Sequence, residues 1–213
     1  MLSYETRFWS SNPYARRAGV DEAGRGPLAG PVVAGVVVMP SELALELHSG
    51  ALAGLNDSKQ LSATQREHHI SILSSTDGVE IGIGVANNTE IDAINILQAT
   101  HLAMRRAVEN LRHGIPDHVL VDGLPVRGLP CESTAIVKGD SKSFLIAAAS
   151  VVAKTERDRI MCEMDLLYPA YGFAKHKGYP TPEHLEALRV NGSCSIHRHS
   201  YAPVAILDEP SLF

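Results

Sequence analysis

Three short apolar segments, each followed within three residues by a carboxylate and a glycine, constrain the fold of this chain more than any other feature. The segments are residues 18–20, 118–121 and 134–137, and the acids after them are Asp21 with Glu22, Asp122 and Asp140. One aspartate and glycine after a strand are typical of a simple turn. If the three strands are neighbours with aligned ends, however, four acids meet at one place.

Other segments predict the elements that surround these strands. Apolar, β-branched runs at 31–38 and 79–85 predict two further strands, and the glycine inside each indicates a bulge or a close backbone approach. Between them, the spacing of Ser62 and Gln65 is typical of a capping box and predicts the start of a helix. Strands and helices mixed in this order predict an α/β fold with helices packed on a central sheet.

Three more helices are predicted further along the chain. Helical spacing of apolar residues predicts a long helix from Thr89 to about Arg112, with Gly114 as its C-terminal cap. Residues 142–162 predict a helix whose consecutive alanines permit a close approach to the sheet. The last helix is predicted after Thr181, which can cap it, and before Gly192.

Composition limits the class of protein. A length of 213 residues is typical of one large domain or one domain with an appendage, and 45% apolar with 20% charged residues excludes wholesale disorder. The three separated cysteines, Cys131, Cys162 and Cys194, favour a reducing compartment over a disulfide framework or a thiolate zinc site. No signal peptide or membrane span is recognisable, so we expect a cytoplasmic protein.

The net charge of −5 means that a polyanionic partner would be bound by a local patch and not by the overall field. Residues 171–201 predict such a patch, which we expect to be a cationic tail. This segment contains four cations, Lys175, Lys177, Arg189 and Arg198, against Glu183 and Glu186, with His176, His184, His197 and His199 between them.

The acids themselves predict a metal site. Four carboxylates at one place would repel each other, and a hard divalent cation, magnesium or manganese, would remove the repulsion. Because neighbouring strand residues point to opposite faces, Asp21 and Glu22 can share this site only if the chain leaves regular strand geometry there. Carboxylate-only ion sites are suited to phosphoryl chemistry, in which an ion activates a water and another stabilises the leaving oxygen.

The segment Gly24, Arg25 and Gly26 follows these acids directly. Glycine lets backbone amides approach a ligand closely, and Arg25 could reach a phosphate or orient the loop. The segment is not a dinucleotide-binding fingerprint, because its third glycine is misplaced and a strand follows where a helix should open. It is not a P-loop either, because no lysine follows the glycines.

Seven motifs now support a resemblance. They are residues 19–34, 55–61, 121–123, 138–143, 147–158, 171–184 and 197–204. In this order they resemble the bacterial ribonuclease HII family, from about Arg17 to Pro203. The resemblance implies an RNase H-like fold, a central mixed sheet flanked by helices with a small helical C-terminal part. We expect a catalytic core over 1–165 and a helical substrate-holding segment over 166–213.

The resemblance also implies an activity and its residues. The family cuts RNA in RNA:DNA hybrids and incises duplex DNA on the 5′ side of an embedded ribonucleotide, leaving 3′-hydroxyl and 5′-phosphate ends. By resemblance, the metal-binding and catalytic carboxylates are Asp21, Glu22 and Asp122, with Asp140 the fourth member. Gly24, Arg25 and Gly26 match the element whose backbone reads the ribose 2′-hydroxyl. Tyr179 matches the tyrosine that stacks on the next deoxyribose.

The remaining expectations concern phosphate contacts and binding partners. Lys59, Lys142 and Lys154 are candidates for phosphate contacts, with solvated surface as the alternative. We expect nucleic acid as the partner, no membrane, and a monomer. Arg25 and the 20 residues before Asp21 distinguish the chain from the sister family, ribonuclease HIII, which has a lysine there and an extra N-terminal domain.

Two other functions stay open from the sequence. One is a module that binds RNA:DNA hybrids without cutting them. The other is a metal-independent ribonuclease in which His197 and His199 make the 2′-hydroxyl attack, which would leave a cyclic phosphate and survive a chelator. The two terminal segments, 1–17 and 206–213, indicate nothing beyond flanking or weak docking.

Overall fold

A five-stranded mixed sheet forms the centre of the protein, in a computed structural model that describes residues 1–12 and 14–208. The strands are β1 (Arg17–Ala23), β2 (Val32–Val38), β3 (Glu80–Ala86), β4 (His118–Asp122) and β5 (Glu132–Ile136). Their order in the sheet is β3-β2-β1-β4-β5. Strands β1, β4 and β5 are parallel, whereas β2 is antiparallel to β1 and to β3. The carboxyl ends of the three parallel strands therefore lie at one edge, called here the acidic edge.

Helices cover both faces of this sheet. In the described part of the chain they are α1 (Ser3–Ser11), α2 (Ser41–Ser49), α3 (Ala63–Ser75), α4 (Asn88–Glu109), α5 (Phe144–Leu167), α6 (Phe173–His176), α7 (Pro182–Asn191) and α8 (Ala202–Asp208). A short 3-10 turn spans Gly139–Ser141. The predicted strands and the predicted α/β class are confirmed, as are the capping box of Ser62 and the Thr181 cap.

The two helical layers approach the sheet through glycines. On one face, α5 runs so close to β1 that a β-carbon at Gly19 would lie 2.1 Å from the Leu145 carbonyl carbon. A β-carbon at Gly35 in β2 would lie 2.6 Å from the Ala149 oxygen. On the other face, α4 packs its small residues against β3 in the same way. The predicted close approach of the alanine-rich helix is confirmed, because only glycines leave room for it.

Helix α4 differs from its prediction in three ways. It is not continuous, because Asn95 adopts φ 65° and ψ 163° and kinks it. It starts after Asn87, which forms a capping box with Glu90, one residue before the predicted start. It ends at Glu109 and not at Arg112, so Gly114 lies in the following turn and is not the cap. The Asn95 side chain accepts from two later amides, and this local cap competes with the helix ladder.

The two ends of the chain contain helices that the sequence did not predict. Helix α1 places the buried Glu5 at the start of α5, where its Oε1 accepts from Ser143 Oγ at 2.6 Å and from the Leu145 amide at 3.1 Å. This carboxylate caps the helix that packs on β1. The helix predicted after Thr181 is confirmed as α7, but it is not the last helix, because α8 follows it. Residues 209–213 lie outside the described residues.

Within residues 1–12 and 14–208, none of the helices combines the length and the apolar composition needed to cross a bilayer.

Candidate active site

The acidic edge brings three of the predicted acids together. Asp21 lies in β1, Asp122 is the last residue of β4, and Asp140 lies in the turn after β5. One carboxylate oxygen from each lies within 4.8 Å of the others. Because β1, β4 and β5 are parallel and adjacent, their carboxyl ends necessarily meet here. An all-oxygen set of this size fits a hard divalent cation.

Repulsion and burial dominate the electrostatics of this cluster. Burial, followed by the charges of Glu22 and Asp122, raises the pKa of the Asp21 carboxyl well above its ordinary value. Burial and then the charges of Asp122 and Asp57 also raise the pKa of Asp140. These carboxylates are destabilised as long as no cation lies between them. The donor set therefore fits a bound divalent metal, whose charge would offset both effects.

Glu22 lies beside this set and not in it. Strand β1 keeps a regular register through Ala23, with Asp21 opposite Gly35 and Glu22 opposite Ala34. The expectation that the chain leaves strand geometry at the two acids is therefore wrong. Glu22 Oε1 instead pairs with Arg25 Nη1 at 3.3 Å. Burial raises the pKa of Glu22, the Arg25 charge opposes this, and the charge of Asp122 adds to it.

Fixed neighbours orient two of the aspartates. The Gly139 amide donates to Asp122 Oδ1 at 2.6 Å, and Asp21 Oδ1 accepts from the Glu22 amide at 2.7 Å. The buried Ser150 of α5 lies near the Asp21 carboxyl, where it opposes the rise of the Asp21 pKa, and its Oγ lies 2.7 Å from Ser58 Oγ. The carboxylates are thus preorganised by the sheet and by α5 before any ligand arrives.

The glycine loop forms the wall of a cleft of about 160 Å³ next to these acids. Gly24 has φ +100°, and a β-carbon there would lie 2.0 Å from Arg157 Nε, so the position needs glycine on both counts. Gly26 lies beside the Tyr179 ring, because a β-carbon there would be at contact distance from it, 3.8 Å. The loop therefore brings backbone and the Tyr179 ring to the same cleft as Asp21 and Glu22.

Two buried arginines hold this loop. The sequence indicated no role for Arg157, and it indicated Arg198 only as one of the cations of the expected tail. Arg198 is 0% exposed and donates to the carbonyls of Gly24 at 2.6 Å, Arg25 at 3.0 Å and Gly30 at 3.0 Å. Arg157 is 1% exposed and donates to the carbonyls of Ala29, Pro31 and Lys177. Among the residues that the structure describes, neither has a carboxylate within ion-pairing distance. No local pattern marks them, although both lie within motifs of the resemblance.

Tyr179 lies against the same arginines. Its ring is 39% exposed, and the Arg157 guanidinium lies 5.8 Å from the ring centroid. The Tyr179 carbonyl accepts from His184 Nδ1 at 2.9 Å, and its amide donates to the His176 carbonyl at 2.9 Å. The backbone of Tyr179 is therefore fixed on both sides, which leaves the ring as the part that can contact a ligand.

A buried chain of histidines lies behind Tyr179. Because His184 Nδ1 donates to a carbonyl, its Nε2 must accept from His197 Nε2, at 3.1 Å. His197 Nδ1 then accepts from the Cys194 amide at 2.9 Å. Both rings are 0% exposed, and burial lowers the pKa of His184. His197 is therefore a neutral core residue that no substrate can reach. This contradicts the alternative in which His197 and His199 act together as a catalytic pair, although His199 itself is exposed.

The lysines predicted to contact phosphate differ in position. Lys59 and Lys154 line the cleft with Asp21. Lys154 Nζ also pairs with Asp158 at 2.6 Å, and burial lowers the pKa of Lys154. Lys142 Nζ donates to the Val137 carbonyl at 2.6 Å, and Lys142 is not among the residues that line the cleft.

The cationic tail expected over 171–201 is wrong as a free patch. Lys175 pairs with Glu183 at 2.9 Å and Arg189 pairs with Glu186 at 2.7 Å. Lys177 donates to Cys162 Sγ and to the Ala174 carbonyl, and Arg198 is buried. Two of the four cations in this segment are therefore paired with glutamates, and a third is buried.

Comparisons with known proteins agree with this geometry. A profile of the ribonuclease HII family matches residues 18–204. A ribonuclease HII from Acetivibrio thermocellus is 50% identical over 201 residues, which are 94% of this chain and 75% of that protein.

Two solved structures share the fold. Ribonuclease H2 from Pyrococcus horikoshii superposes with a TM-score of 0.73 at 30% identity, covering 91% of this chain and 97% of that one. Ribonuclease HII in the PCNA complex from Archaeoglobus fulgidus gives 0.70 at 25% identity, with 92% and 98% covered. Since the profile spans most of the chain and a half-identical relative covers nearly all of it, the chain belongs to the ribonuclease HII family.

Proposed function

We propose that this chain, as a member of a family of endonucleases acting on RNA in RNA:DNA hybrids, incises duplex DNA on the 5′ side of an embedded ribonucleotide. The products are a 3′-hydroxyl and a 5′-phosphate. The observation that carries this proposal is one cleft lined by Asp21, the glycine loop and Tyr179. A group of acids for phosphodiester hydrolysis thus lies next to a backbone loop and an aromatic ring.

The acids are assigned to the metal and the chemistry. Asp21, Asp122 and Asp140 would hold a divalent ion, magnesium or manganese, with Glu22 beside them. When bound, such a metal would supply activation of a water and stabilisation of the leaving oxygen. The chain itself fixes the direction of the carboxylates through the amides of Gly139 and Glu22. It also keeps Asp21 buried, so that its charge is offset by the metal and not by water.

The glycine loop and Tyr179 are assigned to substrate selection. The 2′-hydroxyl is the group that distinguishes RNA from DNA, and it both donates and accepts hydrogen bonds. We assign the backbone of Gly24, Arg25 and Gly26 to this group. The Tyr179 ring offers a flat apolar face, which suits a deoxyribose better than a ribose. Together the loop and the ring would select the step from RNA to DNA.

Phosphate contacts and the C-terminal segment complete the proposal. Lys59 and Lys154 line the cleft and are assigned to the phosphates, whereas the carbonyl-bound Lys142 is assigned a weaker contact. Arg198 of the C-terminal segment donates to the carbonyls of Gly24 and Arg25, and a bridge joins His197 to Ala29. These contacts support a substrate-holding segment that acts together with the catalytic core. We propose a monomer, because Asp21, the glycine loop and Tyr179, which the proposed reaction needs, all belong to the same chain.

A non-cleaving hybrid-binding module is the second candidate, and the acidic edge disfavours it. Three carboxylates whose oxygens lie within 4.8 Å would weaken the binding of a phosphate backbone unless a cation offsets them. A protein that only binds hybrids gains nothing from such a cluster.

The test is the cleavage of an end-labelled DNA duplex with one ribonucleotide, in magnesium, in manganese and in chelator. We expect one metal-dependent cut 5′ to the ribonucleotide, a 3′-hydroxyl end, and no cut in an all-DNA duplex. Tyr179→Ala should reduce the preference for the junction, whereas Tyr179→Phe should retain it. Binding without cleavage under every condition would instead support the hybrid-binding module.

A further inference from the structure

A groove of about 340 Å³ lies on the sheet face covered by α4, outside the cleft described above. It is lined by Ile94, Gln98, His101, Leu102, Arg105 and Arg127, and is called here the α4 groove. Arg127 belongs to the crossover from β4 to β5, residues 123–131, whose apolar residues pack on the same face as α4. The groove therefore lies between a helix and a loop that the core fixes in place.

The α4 groove has an excess of cationic groups. Arg105 is about half exposed, and its guanidinium lies near the crossover, 3.8 Å from where a β-carbon on Gly128 would be. Its only ion pair within the described ranges is a long one, at 3.9 Å to Glu109. In the same ranges Arg127 has none. The buried Nδ1 of His101 has no hydrogen-bond partner among the described residues.

The α4 groove and the glycine loop are joined by residues 199–201. Asp92, near the N-terminal end of α4, accepts from the amides of His199 and Ser200, both at 2.9 Å. The hydroxyl of the next residue, Tyr201, donates to the Arg25 carbonyl at 2.7 Å. The crossover that contains Arg127 also starts directly after Asp122 of the acidic edge. The α4 groove is therefore an extension of the active-site surface towards one face of the sheet.

The opposite face supplies the other predicted phosphate contacts. Lys154 lies on α5, and Lys59 lies in the segment before α3, on the side of the sheet that α5 covers. A duplex lying across the acidic edge would meet these lysines on one side and the α4 groove on the other. Two of the four cations of the expected tail are paired with glutamates and Arg198 is buried, whereas Arg127 in the α4 groove is exposed and has no ion pair among the described residues.

We propose that the α4 groove binds backbone phosphates of the duplex that flanks the cleavage site, through Arg105 and Arg127. This proposal rests on the proposed function, because it takes a nucleic-acid duplex as the ligand. Guanidinium groups bind phosphate oxygens with paired donors, and Gln98 adds an uncharged donor. Ile94 and Leu102 provide an apolar floor for the sugar. Such contacts position the duplex and do not read its sequence.

The test measures duplex binding in chelator, by fluorescence anisotropy over a range of salt concentrations, so that cleavage does not interfere. Arg105→Ala and Arg127→Ala should each weaken binding of a ribonucleotide-containing duplex by roughly 3- to 10-fold and reduce the salt slope by about one. The matched control is Arg112→Ala, an exposed arginine beyond the far end of α4. It should leave both quantities unchanged.

Shortened duplexes test the location. If the groove binds a flanking phosphate, that phosphate lies on only one side of the ribonucleotide. Shortening the duplex on that side should abolish the loss of affinity caused by Arg127→Ala, whereas shortening it on the other side should leave this loss unchanged. An effect that persists on both shortened duplexes would overturn the proposal, as would wild-type binding by both groove variants.

Cleavage of the same duplex in metal separates this proposal from the proposed function. Wild-type cleavage combined with unaltered binding by the groove variants means that the groove assignment is wrong and the proposed function stands. Absence of cleavage by the wild-type protein would instead remove the proposed function, and with it the reason for a duplex ligand.

Discussion

The acidic edge and the C-terminal segment 171–201 are both rich in charged residues, but the fold arranges these charges in opposite ways. At the acidic edge, like charges are held together, and burial, followed by the charges of Glu22 and Asp122, raises the pKa of Asp21. In the C-terminal segment, Lys175 and Arg189 are paired with glutamates, and Arg198 is buried among backbone carbonyls. A cluster of like charges, and not the formal charge of a segment, therefore marks the place where a ligand is needed.

Chain geometry explains the contrast. The acids are short side chains fixed at the ends of three parallel strands, so they cannot move apart. The cations of the C-terminal segment are long and flexible, and they reach partners within eight residues or extend into the core. We expect substitutions at the acidic edge to affect catalysis and substitutions in the segment to affect stability.

The largest expected effect concerns catalysis at the acidic edge. Asp21→Asn should reduce metal-dependent cleavage by roughly 1,000-fold or more, because it removes a charged metal ligand of nearly the same shape. Duplex binding should be largely retained. The measurement is single-turnover cleavage, with Asp77→Asn in the exposed turn before β3 as the control. Near-normal cleavage by Asp21→Asn would show that the acidic edge is not the reaction centre.

The next largest effect is expected on stability, for a substitution in the C-terminal segment. Arg198→Lys keeps the charge but cannot reach the carbonyls of Gly24, Arg25 and Gly30 together, so buried acceptors lose their donors. We expect the free energy of unfolding to fall by about 2 to 4 kcal/mol. Arg189→Lys, in an exposed pair with Glu186, should change it by less than about 0.5 kcal/mol. Urea unfolding of both variants measures the difference. Equal losses of stability would contradict the distinction between the buried Arg198 and the exposed, paired Arg189.

A pH effect should follow for the metal-free protein. The folded pKa of Asp21 is raised above its ordinary value of 3.8, so between these two values the folded state binds more protons than the unfolded state. Stability in chelator must therefore fall as the pH rises through that window. Asp21→Asn should melt about 2 to 5 °C above the wild type at neutral pH.

The control for this prediction is to measure the melting temperatures of Asp21→Asn and the wild type at lower pH. The difference in melting temperature should shrink as the wild-type carboxyl becomes protonated. A difference that is independent of pH would mean that Asp21 is not destabilised by its charge.

The smallest effect is expected for a paired cation of the C-terminal segment. Lys175→Ala should change duplex affinity by less than about two-fold, because the Glu183 carboxylate already balances that ammonium group. Lys59→Ala, within the cleft, should weaken affinity more. Anisotropy titrations at one salt concentration compare the two. A larger loss at Lys175 would restore the cationic tail as a substrate contact.

Local signals were enough for much of the fold. The capping residues Ser62 and Thr181 and the apolar strand runs specify their elements through neighbouring residues, so the sequence predicts them. The kink of α4 at Asn95 was missed, because helical periodicity continues on both sides of it. Helix α1 was missed as well, since its function is to bring Glu5 to α5, a contact 138 residues away.

The chain by itself determined which acids end which strands, because an aspartate after an apolar run is visible without any knowledge of packing. Only the tertiary structure decided that these ends meet, since strand order joins β1 to β4 and β5 across more than 90 residues. It also decided that Arg157, Arg198 and His197 are buried and hold the glycine loop and Tyr179. Burial and long-range hydrogen bonding depend on the whole fold, so the sequence alone does not reveal which charged side chains are exposed and unpaired.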